Sequence, residues 1–230
     1  MIDPSPPPLA QVRWPKAYRI IPSRFPPIDV FESFGNQGLL AELEGLTNPR
    51  LREQWGDISI VPPERRVTAP GGTYVMAPFT HPNKNGSRFS AGDYGVYYAA
   101  REVETALSET VHHMGLFYAA TSDPPHQNEF RCLVGEVNHT FHDIRAEPPA
   151  GVMDKDDYSV GQAFGRRLRN GGSDGLAFMS VRNEGGQNIA AFWPDVVGIP
   201  VQANHYIYNW TGQRIDRVFD FEEEVWFEVT

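Results

Sequence analysis

The clearest hydrophobic pattern in the chain lies between Gly86 and Gly115, where two different periods follow one another. Gly95 to Ala100 is an apolar run of strand length, and after it Val103, Ala106, Leu107, Thr110, Val111 and Met114 fall on one stripe at helical spacing. Glu102 and Glu104 suit the positive first turn of a helix, and Gly115 suits the left-handed position that ends one. The pattern predicts a strand over Gly95–Ala100 and a helix over Arg101–Met114, closed at Gly115. A second helix is predicted over Asp157–Leu168, capped by Asp156 or Asp157, striped by Val160, Ala163, Phe164 and Leu168, and ended by Gly171-Gly172.

The remaining pattern is mostly of strand length. Strands are predicted over Ala17–Pro22, Phe117–Ala120 and Arg131–Thr140, the last with Leu133 and Val137 among its apolar positions. A hairpin runs from Leu176–Arg182 through a turn at Glu184-Gly185-Gly186 into Asn188–Trp193, and Val218–Val229 alternates enough for one or two closing strands. A short helix is predicted over Leu39–Leu46, and Arg50–Asn85 is broken by prolines and glycines around one apolar run, Thr73–Ala77. Strands dominate with a few helices between them, so the class is α+β. Residues 1–16 read as a proline-rich extension anchored by Trp14, and residues 17–230 as one domain.

Composition narrows the function classes. A chain of 230 residues with 40% apolar and 21% charged positions is a soluble globular protein that buries most of its surface without disulfides. One cysteine, Cys132, excludes a disulfide framework and every paired-cysteine metal site, as expected in a reducing compartment. Twenty basic against 29 acidic residues give a net charge of -9, and no basic tract is present to read a phosphate backbone, so nucleic acid is not an expected partner. The N-terminus lacks a secretory pattern, and the most apolar late stretch, Ile189 to Val201, is broken by Pro194, Asp195 and Pro200, short of the roughly 20 residues a bilayer needs. The expectation is a cytoplasmic protein with no membrane contact.

Several motifs fail on their context. Gly171-Gly172-Ser173-Asp174-Gly175 matches the GxSxG elbow of serine hydrolases, but that elbow follows a strand and opens a helix, whereas here the helix comes first. There is no dinucleotide or P-loop glycine fingerprint. The pairs His139 and His142, and His112 and His113, lack a third ligand at motif spacing, so no metal is expected. Glu222-Glu223-Glu224 reads as a solvated guard beside an edge strand.

One constellation survives. Arg88 is followed by Tyr98 ten residues on and by Glu109 eleven residues after that. An arginine fork pairs with phosphate oxygens, a tyrosine ring packs on a flat heterocycle, and a carboxylate stabilises developing positive charge. Glu109 lies roughly 120° from the centre of its helix's apolar stripe and is free to face a cleft. The same residues also serve as surface pairs and strand filling in any protein, so physics alone stops at a nucleotide or phosphate-sugar pocket.

The segments Arg88-Phe89-Ser90, Gly95 to Ala100, Glu104 to Glu109, Gly175 to Arg182 and Gly185 to Asn188 resemble, in order, the RES-domain family. Its eponymous arginine, glutamate and serine fall here on Arg88, Glu109 and Ser180. The resemblance spans about Tyr18 to Pro194 and implies a fold similar to ADP-ribosyltransferases, in toxins of bacterial toxin-antitoxin pairs. It implies that NAD is the substrate, with Arg19 and Arg88 at its phosphates or ribose, Tyr98 at the nicotinamide end, Glu109 at the nicotinamide ribose and Ser180 lining the pocket. Arg182 is a further, weaker match. Nicotinamide would leave ribose C1′, and water, phosphate or a protein target would accept the ADP-ribose. The implied partner is an antitoxin of Xre/helix-turn-helix type, which would carry any DNA contact. The stretch of roughly seventy residues between Arg19 and Arg88 departs from shorter members and bears on the placement of Arg19. The competing classes are a non-catalytic nucleotide-binding regulatory module and a metal-dependent hydrolase using the histidines.

Overall fold

The computed structural model describes residues 5–23 and 56–229, and the helix expected over Leu39–Leu46 lies outside them. Eight strands are present among the described residues: β1 (Leu9–Pro22), β2 (Tyr97–Ala100), β3 (His126–Asp143), β4 (Gly175–Met179), β5 (Gln187–Ala191), β6 (Val201–Trp210), β7 (Ile215–Asp220) and β8 (Val225–Glu228). Three α-helices accompany them: α1 (Thr73–Thr80), α2 (Val103–Thr121) and α3 (Ser159–Asn170). The strand order is β1-β2-β5-β4-β3-β6-β7-β8, and an extra β1–β3 pairing closes the first five strands on one another, leaving β6, β7 and β8 as an antiparallel extension. The class is α+β, as the sequence pattern implies.

The long partners β1 and β3 are the spine of the sheet. They pair antiparallel from Leu9↔His142 to Pro22↔Phe130, with a bulge between Trp14 and Ala17. The strand begins at Leu9, eight residues before the expected Ala17, because Val12 and Trp14 alternate into the core while Gln11, Arg13 and Lys16 stay outside. β6 is the strand the pattern does not announce. His205, Asn204 and Asn209 interrupt it, yet Tyr206, Tyr208 and Trp210 are buried at every second position.

Each helix covers its own part of the sheet. α1 places Val75, Met76 and Phe79 against Val12, Trp14, Val137, Phe141 and Ile189. α2 packs Ala106, Leu107 and Tyr118 on Phe130, Cys132, Tyr208 and Trp210, with Val103, Val111 and Met114 half-buried beside them. The expected stripe is therefore the packed one, but α2 does not stop at Gly115. It continues through the residues expected as a strand, Phe117–Ala120, and ends at Ser122 in the left-handed conformation (φ 55°). One mid-helix glycine costs about 1 kcal/mol, and burying Tyr118, whose hydroxyl accepts from Asn128, more than offsets it.

α3 starts at Ser159, two residues after the expected Asp157, whose carboxylate accepts the Ser159 N–H at 2.8 Å. Its buried face is Gly161, Phe164, Gly165 and Leu168, while the expected Ala163 is exposed. The glycines decide this. A Cβ on Gly161 would lie 2.6 Å from the Arg88 carbonyl and one on Gly165 2.4 Å from the Phe89 carbonyl, so only a bare backbone lets the 88–89 segment lie against the helix.

Candidate active site

That close approach is what sets Arg88. The segment Gly86–Ser90 is held from below by α3 and from the side by Tyr98 of β2, whose hydroxyl accepts the Phe89 N–H at 3.1 Å and bonds Ser87 Oγ at 2.9 Å. Burial pushes the Tyr98 hydroxyl up to about 12, so it stays protonated as a strut. Arg88, 8% exposed, donates to the Asp154 carbonyl and stacks 4.6 Å over the Tyr158 ring. Arg19 on β1 donates to the Tyr98 carbonyl at 2.9 Å and lies 4.8 Å over the Tyr97 ring. Burial lowers its pKa, and among the described residues no carboxylate pairs with it.

On the facing side, α2 presents Glu109. Ser180, just past the end of β4, accepts the N–H groups of Arg182 at 3.1 Å and Asn183 at 3.0 Å. With both lone pairs engaged, its one proton is directed at Glu109 Oε1, 2.7 Å away. Asn188 of β5 donates to the same oxygen at 3.3 Å. The second oxygen, Oε2, meets only His113 Nε2 at 4.0 Å among the described residues. The carboxylate is thus fixed in direction by one oxygen and open at the other. The β4–β5 turn that carries Ser180 is itself locked, since Asn183 donates to the buried Thr105 Oγ1 of α2 at 2.8 Å.

Basic groups complete the rim. Arg182 donates to the Lys155 carbonyl and stands 3.9 Å from Asp156. Burial first, then Arg182 and Arg88, hold the pKa of His113 below its usual value, and burial with Arg182 and His113 does the same for His112. His113 also meets the Tyr158 ring edge-on at 6.5 Å. The site residues expected from the sequence therefore form two bonded groups, Glu109 with Ser180 and Arg19 with Tyr98 and the Arg88 segment, linked through Tyr158 and His113. Tyr158 was not expected here, Asn188 was expected only as part of a family segment, and His113 only as a metal-ligand candidate. The spacing of four between Glu109 and His113 on one helix was the legible signal for His113; Tyr158 carries none, because its loop reaches the site only through the fold.

The rejected elbow is rejected by the structure too. Ser173 is buried, with its Oγ donating to the Gly175 carbonyl and accepting the Gly175 N–H. A cavity of about 360 Å³ opens beside it, lined by His139, His142 and Asp174 among others. His139 Nε2 hydrogen-bonds Asp174 at 2.8 Å, and the Ser173 hydroxyl is engaged with the Gly175 backbone rather than with that pair. No group of three or more His, Cys, Asp or Glu side chains suited to a metal occurs among the described residues. None of their helices is long and apolar enough to cross a membrane.

A family model described as the RES domain matches residues 63–211. The protein y4oC of Sinorhizobium fredii, an uncharacterized protein, is 30% identical over 214 residues, covering 90% of this chain and 87% of its own. Among solved structures, a chain of the M. tuberculosis MbcT-MbcA toxin-antitoxin complex aligns with a TM-score of 0.46 at 10% identity, over 88% of this chain and 87% of that one.

Proposed function

Because this chain belongs to the RES domain family, we propose that it binds NAD in the cleft beside Glu109 and breaks the bond between nicotinamide and ribose C1′. The observation that carries this reading is the Glu109 carboxylate, aimed by Ser180 through one oxygen and open at the other, with Arg88 and Arg182 nearby holding neutral backbone carbonyls.

Nicotinamide leaves with the bonding electron pair and becomes neutral, and the ribose passes through an oxocarbenium-like state. Oε2 of Glu109 stabilises that cation, and Ser180 is a positioning residue that keeps the carboxylate pointed at it. Arg88 and Arg19 suit the pyrophosphate, with Arg182 beside them; Tyr98 holds the Arg88 segment and closes the nicotinamide end. Fixing the sugar and the phosphates restricts the substrate to a reactive geometry. The acceptor is water, inorganic phosphate or a side chain of a protein target, so the enzyme is an NAD glycohydrolase, a phosphorylase or an ADP-ribosyltransferase. In the cell this chemistry is that of a cytoplasmic toxin restrained by a cognate antitoxin of Xre/helix-turn-helix type.

The test is nicotinamide release from NAD by purified protein, with and without phosphate, for wild type and Glu109→Gln. Release by wild type alone supports the reading, and dependence on phosphate separates phosphorolysis from hydrolysis. NAD binding without release, in either condition and with a cell extract added as a source of protein acceptors, would instead assign a nucleotide-binding regulatory module.

A further inference from the structure

Two arginines from different parts of the sheet end on one loop. Arg88, ahead of β2, donates to the Asp154 carbonyl, and Arg182, after β4, donates to the Lys155 carbonyl. Tyr158, four residues on from Asp154, covers the Arg88 guanidinium. The loop orders itself without them: Asp154 Oδ1 accepts the N–H groups of Asp156 and Asp157, both at 2.9 Å. Both flanks are pinned, since Val152 is fully buried and Gly161 of α3 lies against the Val152 and Arg88 carbonyls. Between the flanks, Asp154, Lys155, Asp156 and Asp157 are exposed.

The basic groups at this loop are poorly matched. A guanidinium bonds a carboxylate or phosphate about twice as strongly as a neutral acceptor, yet both arginines hold neutral carbonyls, and Asp156 stands 3.9 Å from Arg182. Near them, Arg182 Nε and His112 Nε2 are buried with no hydrogen-bond partner. Buried polar atoms without partners are rare and costly. The carbonyls of Asp154 and Lys155 therefore stand where a better acceptor belongs.

We propose that the loop Met153–Tyr158 is a strap that fills the anion positions of Arg88 and Arg182 in the ligand-free protein and is displaced when a diphosphate enters. The two carbonyls are exchanged for phosphate oxygens, Tyr158 lifts from Arg88, and the buried Val152 and α3 serve as the fixed ends. Apparent affinity is then the intrinsic affinity reduced by the fraction of molecules with the strap lifted. The inference rests on the cleft being a phosphate site, as in the NAD reading, but it does not require NAD: inorganic pyrophosphate alone must lift the strap.

Hydrogen exchange of the full chain, with binding followed by calorimetry, tests this with inorganic pyrophosphate and with ADP-ribose as probes. The expected result is exchange across 153–158 that is about tenfold faster in the bound protein, while the amides of α3 stay protected. Bound probe with unchanged or slowed exchange in this segment would overturn the strap. So would a failure of both probes to bind wild type and Asp154→Ala alike. Asp154→Ala, which removes the loop's internal acceptor, should tighten pyrophosphate binding about tenfold. Asp154→Asn keeps an acceptor oxygen and loses the charge, and should stay within about twofold of wild type. An equal gain in both variants would assign the effect to charge and overturn the proposal. Failure of the NAD reading has a different signature: pyrophosphate lifts the strap, and NAD yields no nicotinamide.

Discussion

The two ends of α3 carry the same kinds of residue in opposite states of balance. Beyond its C-terminus, Arg65 bonds Asp174 and reaches Asp195 at 2.9 Å, while His139 donates to Asp174 at 2.8 Å. Arg169 lies between the rings of Tyr94 at 4.6 Å and Trp193 at 4.1 Å. At the N-terminal end Arg88 and Arg182 hydrogen-bond backbone carbonyls, Arg182 stands 3.9 Å from Asp156, and among the described residues Oε2 of Glu109 meets only His113, at 4.0 Å. In a protein with 29 acidic residues, cations held on neutral carbonyls do not reflect a shortage of carboxylates. The first cluster pairs its cations with carboxylates and ring faces and contributes to the fold; the second holds its arginines on neutral carbonyls, which suits a ligand that brings its own charge. A cavity of about 360 Å³ also lies beside the closed cluster, lined in part by His139 and Asp174.

The sharpest way to break this comparison is to remove one charge from the open end. Glu109→Gln keeps the shape and the acceptor oxygen that Ser180 and Asn188 use. It should lower the rate of nicotinamide release about 10²- to 10³-fold, the usual loss when one electrostatic stabiliser of a transition state is removed. Its melting temperature should stay within about 2 °C of wild type. A variant that loses stability in step with activity would make Glu109 a structural residue and erase the distinction between the two ends.

The next effect concerns the contact that sets Arg88. Gly165→Ala drives a methyl to 2.4 Å from the Phe89 carbonyl, and overpacking of this kind costs about 1–3 kcal/mol. Thermal melting should fall by roughly 3–10 °C. Activity per folded molecule should fall with it, because the backbone that moves is bonded to Tyr98 and adjoins Arg88. Full activity in the molecules that remain folded would mean that Arg88 does not depend on this packing.

These glycines also show how far the sequence is legible. The α2 stripe could be read because its apolar residues repeat on one face with nothing to override them, and Glu109, off that stripe, faces Ser180 and Asn188. α3 was misread at Ala163 because the tight contact there is made by absent side chains, and hydropathy scores a glycine as neutral. The helix end at Gly115 failed because one unfavourable residue loses to a buried tyrosine three positions later. Glu109 and Ser180 are 71 residues apart; family resemblance named both residues, but neither it nor any local pattern announced the bond that joins them. Tyr158 had neither a period nor a motif to announce it.

A smaller change should come from the closed end. Burial pushes the Asp174 carboxyl up, but the hydrogen bonds from His139 and Arg65 outweigh it and hold the group below its usual pKa. A depressed carboxyl adds stability above its unfolded pKa and loses it as pH falls through the folded value. Asp174→Asn should therefore cost about 1 kcal/mol near pH 7, a modest figure because the side chain is 28% exposed. Below about pH 4 the variant and wild type should converge. Denaturant midpoints across that pH range would check it, with nicotinamide release unchanged throughout.

The finest probe is the titration of His113, which senses the open end directly. Burial, Arg182 and Arg88 all lower its pKa, and the carboxylate that reaches it among the described residues is the Oε2 of Glu109, at 4.0 Å. Removing one of the two cations in Arg182→Ala should raise the His113 pKa toward its ordinary value, followed through the imidazole proton resonance. Pyrophosphate bound to wild type should raise it as well, since an anion between the arginines screens the same repulsion. A resonance that moves with Arg182→Ala but not with pyrophosphate would mean that the anion binds away from these arginines, and the open cluster would then need another explanation than a waiting phosphate site.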